Sequence, residues 1–211
     1  MGAPVRISRA FAPLAIVLWL AGIAFGVKTL WDYKTTPGLA GSPPATWPAE
    51  SRIRPASTPT LVMLVHPKCP CTRATLTELS GLMEKFHGRL AAYVLFLRPQ
   101  GVPAGWELTD TWQTASNIPG VTVVLDDGGV EARRFGAATS GQTMLYDASG
   151  RLLFSGGITG VRGHPGDNAG SRRVAALVHS GVADRDRSLV FGCRLADDED
   201  APVFERLTVL R

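Results

Sequence analysis

Residues 61 to 79 read LVMLVHPKCPCTRATLTEL. The opening apolar run has the length of a buried strand. Pro70 suits a first helical turn, where its missing N–H goes unneeded. Leu76, Leu79, Leu82, Met83 and Phe86 then recur at helical spacing, up to Gly88. A buried strand running through a tight turn into an amphipathic helix makes the rest of the chain readable as an α/β domain. The turn also carries Cys69 and Cys71, separated by a single residue.

The elements that follow fit that reading. AAYVLFL (91–97) is a second buried strand, WELTDTWQTA (106–115) a weaker helix, and VTVVLDD (121–127) a third strand ending at Gly128-Gly129. EARRF (131–135) is a short helix. TMLYD (143–147) and RLLFSGG (151–157) flank Ala148-Ser149-Gly150, the spacing of a β-hairpin. SRRVAALVHS (171–180) is a final helix ending at Gly181. The pattern implies a mixed sheet with helices on both faces.

The 211 residues suffice for one domain plus additions, and 45% apolar content supplies a core. The net charge of +4 is spread along the chain, without the clusters that mark a nucleic-acid surface. The run from Phe11 to Trp31 carries one charge, Lys28. About 20 helical residues cross a bilayer core, and this run exceeds the ~7–15 apolar residues of a cleaved signal peptide. Arg6 and Arg9 precede it, which places residues 1–10 in the cytoplasm and the bulk of the chain outside it. Disulfides persist there. Residues 32–57, rich in Pro, Gly, Ser and Ala, read as a linker. The expected organisation is a membrane anchor at 11–31, this linker, a domain at 58–181 and an extension at 182–211.

The stretch DDGGVEARRFGAATSGQTMLYDASGRLLFSGG and the layout around it resemble membrane-anchored thioredoxin-like proteins of the TlpA type, over roughly residues 58–181. The strings T-S-G and G-G-I-T…R-G-H-x-G-D-N also resemble the bacterial RedB group. The TlpA resemblance implies a thioredoxin-like fold and thiol–disulfide exchange. Members of that type run C-P-x-C-R-A-x-x-P-E-L, and this chain runs C-P-C-T-R-A-T-L-T-E-L. Matching the R-A and E-L pairs puts Cys69 at the nucleophilic cysteine and Thr72 where the second cysteine belongs. Gly141, within Ser140-Gly141-Gln142, stands where the family has a cis-proline beside its substrate.

Cys69 lies before a helix N-terminus, where N–H groups and the helix dipole favour a thiolate. Lys68 and Arg73 add positive charge, and His66 is near in sequence. The resolving thiol is either Cys71 or Cys193. A Cys69–Cys71 bond closes a ring smaller than that of C-x-x-C. Cys193, in SLVFGCRL, reaches the turn only if residues 182 to 193 run back across the domain. The hairpin returns the loop ITGVRGHPGDNAG (158–170) to the same end. Arg162, His164, Asp167 and Asn168 are its candidate contributors: His164 for proton transfer and for stabilising the thiolate, Arg162 for holding an anion. Asn168 or Ser171 alternatively caps the last helix. The leading expectation is a redox protein without a cofactor, acting on thiols or disulfides of a partner protein or small molecule. The alternative is a copper-delivery protein holding Cu(I) through Cys69, Cys71 and one of His66, His164 or Cys193.

Overall fold

The computed structural model describes residues 11–195. It divides after Thr36 into two units. In the first, helix α1 (Phe11–Thr35) continues beyond the expected end at Trp31. Within Pro13–Thr35 an 18-residue window reaches a mean hydropathy of 1.9, which makes this helix long and apolar enough to cross a membrane. Its apolar side chains, among them Leu14, Leu18, Trp19 and Phe25, are exposed. Arg6, Arg9 and the acidic run 197–200 lie outside the described residues.

In the second unit, strands β1 (Thr60–Val65), β2 (Ala91–Arg98), β3 (Val121–Asp127), β4 (Gln142–Tyr146) and β5 (Leu152–Gly156) form one sheet in the order β3-β2-β1-β4-β5. The first three are mutually parallel, while β4 runs antiparallel to β1 and β5 antiparallel to β4. Helices α2 (Cys71–Lys85), α3 (Asp110–Ser116), α4 (Val130–Arg134) and α5 (Ala169–Ser180) occupy the connections and the C-terminal side. This is the thioredoxin-like arrangement.

Strand β1 is buried along its whole length, and its alternation divides the core. Leu61, Met63 and Val65 join α2 and α5 side chains such as Leu76, Leu79, Val174 and Val178. Val62 and Leu64 face the other way, toward Ala132, Phe135, Met144 and Tyr146. Every residue of β1 is thus spent on packing, and the chemistry is left to its C-terminal end.

Three segments depart from the sequence reading. Helix α3 begins at Asp110 rather than 106, because Pro103 and Gly105 direct the preceding residues into turns. Helix α2 ends at Lys85, with Phe86 at its C-cap, short of Gly88. The larger correction concerns residues 37–57, which are part of the domain and not a free linker. Trp47 packs edge-on against Phe135 and Tyr146, at 5.2 Å from each. The Trp47 N–H bonds the Gly150 carbonyl at 2.7 Å, and the Ser51 hydroxyl donates to buried Glu131 at 2.6 Å. Pro and Gly let the segment follow the sheet closely, and Trp47 and Ile53 supply apolar anchors.

Leu79→Ala removes a fully buried α2 side chain. It should cost about 2–5 kcal/mol and lower the melting temperature of the full chain in detergent. A loss under about 1 kcal/mol would show that this face of α2 is not packed on the sheet.

Candidate functional site

The end of β1 turns through His66-Pro67-Lys68-Cys69-Pro70 into α2. The Cys69 N–H bonds the His66 carbonyl at 3.1 Å, and the Cys69 carbonyl accepts the Thr72 N–H at 3.0 Å. Pro70 holds helical dihedrals at the N-cap without a side-chain cap, so the helix starts at Cys71 itself. Thr72, at the second-cysteine position implied by the resemblance, is buried and donates its hydroxyl to the His66 carbonyl at 3.1 Å. It braces the turn.

The loop before β4 closes on this turn. The Ser140 hydroxyl oxygen accepts the His66 N–H at 2.9 Å, and the Gly141 N–H bonds the Leu64 carbonyl at 2.7 Å. Gly141 has φ +87°, left-handed backbone that favours glycine. A Cβ there would lie 3.1 Å from the Thr75 hydroxyl on α2. The side chain of Gln142 turns back to accept the Ala138 N–H at 3.1 Å. Ser140, Gly141 and Gln142 are all buried.

What covers them is the chain's own C-terminal segment. The Ser140 N–H donates to the Cys193 carbonyl at 2.8 Å, and the Leu195 N–H to the Ala138 carbonyl at 3.0 Å. Thr139 and Arg194 form an antiparallel bridge. Upstream, the Gly157 N–H donates to the Leu189 carbonyl at 3.2 Å and the Gly38 N–H to the Val190 carbonyl at 2.8 Å. Gly192 passes so close that a Cβ would sit 1.9 Å from the Ser140 carbonyl oxygen. The segment does run back across the domain, held by single bridges. It brings the Cys193 Sγ to 3.1 Å from the Cys69 Sγ, although 124 positions separate them.

Two sulfurs therefore meet, with Cys71 beside them, and the three thiols are electrically unequal. The Cys71 thiol donates to the Cys69 sulfur, and Cys193 supplies a second donor. Together they lower the Cys69 pKa to about 4 against the opposing effect of burial. Cys71 is pushed far up, first because its proton serves that bond and then by burial. Cys193 is raised to about 11 by burial and by its bond to Cys69, with the Arg162 charge opposing. One anion, on Cys69, is thus held by two neighbouring thiols.

The 158–170 loop contributes unequally. Arg162 donates to the Gly192 carbonyl at 2.6 Å, and its charge reaches both Cys71 and Cys193. His164 is exposed, and the hydrogen bonds that lower the Cys69 pKa come from the other two cysteines. Asp167 pairs with Arg172, and Asn168 caps α5 by accepting the Ser171 N–H at 2.8 Å. The residue that fastens the loop to α2 is Glu78. It accepts from the Gly166 N–H at 2.6 Å, the Ser171 hydroxyl at 2.8 Å and the Asn168 amide at 3.1 Å. Nothing in the E-L pair of the turn motif signals that role. Gly192 had a visible signal, a glycine just before a cysteine in an apolar run. His66 turns toward Trp106, at 5.3 Å between ring centroids. Among the described residues, no group of three or more His, Cys, Asp and Glu side chains is arranged to hold a metal ion.

No family model matches the sequence, and no curated protein matches it. Solved structures do. An uncharacterized conserved protein from Geobacillus kaustophilus aligns with TM-score 0.56 at 14% identity, over 79% of this chain and 95% of its own. A hypothetical protein from Sinorhizobium meliloti 1021 aligns with TM-score 0.56 at 19% identity, over 76% and 93%. A secreted Mycobacterium tuberculosis disulfide oxidoreductase homologous to E. coli DsbE aligns at 0.42 and 16% identity, over 59% and 82%. At these identities the likeness is one of fold.

Cys71→Ala deletes the chief donor to the Cys69 anion, and losing stabilisation of the charged form raises a thiol pKa. The ultraviolet thiolate absorbance of the reduced protein should then titrate at higher pH than in the wild type. An unmoved midpoint would show that Cys71 does not hold the anion.

Proposed function

We propose that this chain is a membrane-anchored thiol–disulfide exchange protein whose redox pair is Cys69 and Cys193. The observation that carries this reading is the 3.1 Å approach of the two sulfurs at the strand-to-helix turn. A disulfide bond is about 2.05 Å long, so joining them needs only a small shift of a segment held by single bridges. In the reduced state Cys69 is the thiolate, the species that attacks, and a proton sits on Cys193. Passing to the disulfide gives two electrons and the Cys193 proton to a partner disulfide, which becomes two thiols once a second proton is taken from solvent. The reverse reaction oxidises partner thiols. Cys71 stays a thiol throughout and acts as hydrogen-bond donor to the Cys69 sulfur. It is not the resolving residue.

The apolar helix α1 and the arginines before it support a single-pass anchor with the domain outside the cytoplasm, in the periplasm of a bacterium. An oxidising compartment suits a chain that works through a disulfide. The TlpA-type cysteine turn points to the same chemistry, with the second cysteine transferred from the helix to the C-terminal segment.

Peptide mapping of protein isolated from membranes under thiol-blocking conditions tests the pairing. A Cys69–Cys193 link with Cys71 alkylated is expected, and Cys69→Ser and Cys193→Ser should each abolish exchange with a disulfide substrate. A Cys69–Cys71 link, or full exchange by Cys69→Ser, would sink the proposal. Gly192→Ala should push the segment off Ser140 and slow disulfide formation while the melting temperature of the core stays near wild type. Unchanged disulfide formation would mean that the segment does not position Cys193.

A further inference from the structure

The two cysteines of the proposed pair are not equally exposed. Cys69 is 3% exposed, closed in by the turn, by Ser140 and by the C-terminal segment. Cys193 is only half-buried, with exposed Arg194 beside it. The backbone of residues 138–140, beside which an incoming peptide would lie according to the TlpA resemblance, is already hydrogen-bonded to residues 193–195.

From this geometry, and resting on the Cys69–Cys193 reading, we infer that Cys193 is the sulfur through which the redox centre meets its partner, and that the partner is a small thiol needing no backbone docking. An incoming thiolate RS⁻ attacks the Cys193 Sγ. The Cys193–Cys69 bond breaks, its electron pair goes to the Cys69 Sγ, and an R–S–S–Cys193 mixed disulfide forms. A second thiolate then attacks the R sulfur, giving R–S–S–R and a Cys193 thiolate that takes up a proton. Two small thiols have been oxidised to one disulfide, and the protein pair has gained the two electrons. In the opposite direction the Cys69 thiolate attacks the Cys193 sulfur of the mixed disulfide and expels RS⁻.

Leaving-group chemistry favours this polarity. Exchange is faster when the departing thiol has the lower pKa, and access selects the sulfur attacked. The Cys69 anion is received by the Cys71 hydrogen bond as it departs. Arg162, which bonds the Gly192 carbonyl at 2.6 Å, sets a positive charge near the sulfur under attack. In an ordinary C-x-x-C turn the first cysteine meets the partner and the second resolves. Here the first cysteine, buried Cys69, leaves, and the residue on the C-terminal segment receives the attack.

The test uses the oxidised full chain in detergent, as wild type and as Cys71→Ser to prevent migration of the adduct. Each is pulsed with reduced glutathione, quenched in acid, alkylated and mapped by mass spectrometry. Glutathione on Cys193 with the alkyl group on Cys69 is expected in both. Glutathione on Cys69 in the Cys71→Ser protein would overturn the inference while leaving the exchange function standing. Absence of any Cys69–Cys193 disulfide in the starting protein would overturn both. A second arm replaces glutathione with a longer extended peptide carrying one cysteine, which should react no faster. A markedly faster peptide would overturn the assignment of a small-thiol partner.

Discussion

The hydrogen bond from the Ser140 N–H to the Cys193 carbonyl, 2.8 Å long, is the contact on which the arrangement of the site turns. Ser140 is shared by three segments: its backbone holds the C-terminal strap, its hydroxyl oxygen accepts from His66 at the end of β1, and that oxygen lies 3.4 Å from the Thr72 hydroxyl on α2. An unpaired buried N–H is costly, so the strap satisfies a donor that would otherwise be stranded where the domain closes. Because one residue fixes both the cysteine turn and the strap, the distance between Cys69 and Cys193 follows from local backbone geometry. It needs no long-range adjustment.

The same closure explains the inequality of the thiols. Burying an anion is expensive unless donors surround it, and here the donors are the two other sulfhydryls. The site thereby keeps its negative charge in one place and its protons in the other two. Arg162 contributes through the strap, where its hydrogen bond to the Gly192 carbonyl holds the cation.

Much of the domain was readable from the chain. The five strands and four domain helices fall near their expected positions, because strand β1 and helix α2 carry strong periodicity and the hairpin is bounded by turn residues. The misplaced parts share a cause. Residues 37–57 and 188–195 have no regular secondary structure of their own, and their place is set by edges they meet far away in sequence. Composition makes such segments look like linkers and tails. Trp47, Ile53 and Phe191 were the readable exceptions, apolar residues with no reason to sit in free chain. The functional loop was legible as a loop, but the division of labour within it was not. Periodicity cannot distinguish Arg162, turned inward to a carbonyl, from exposed His164 two residues on.

The long reach from Cys69 to Cys193 has a thermodynamic consequence. A covalent link between them closes a loop spanning 124 positions. In the chain-entropy view, a loop of roughly that size removes about 5 kcal/mol of freedom from the unfolded ensemble. Folding and oxidation are then coupled in one cycle: whatever the bond adds to the stability of the fold, the fold returns to the bond as resistance to reduction. A C-x-x-C pair closes a loop of a few residues and has little of this coupling. In this chain the reduction potential is therefore partly a property of the whole domain, and loosening the strap or the sheet edge beneath it should make the pair easier to reduce even with every sulfur left in place.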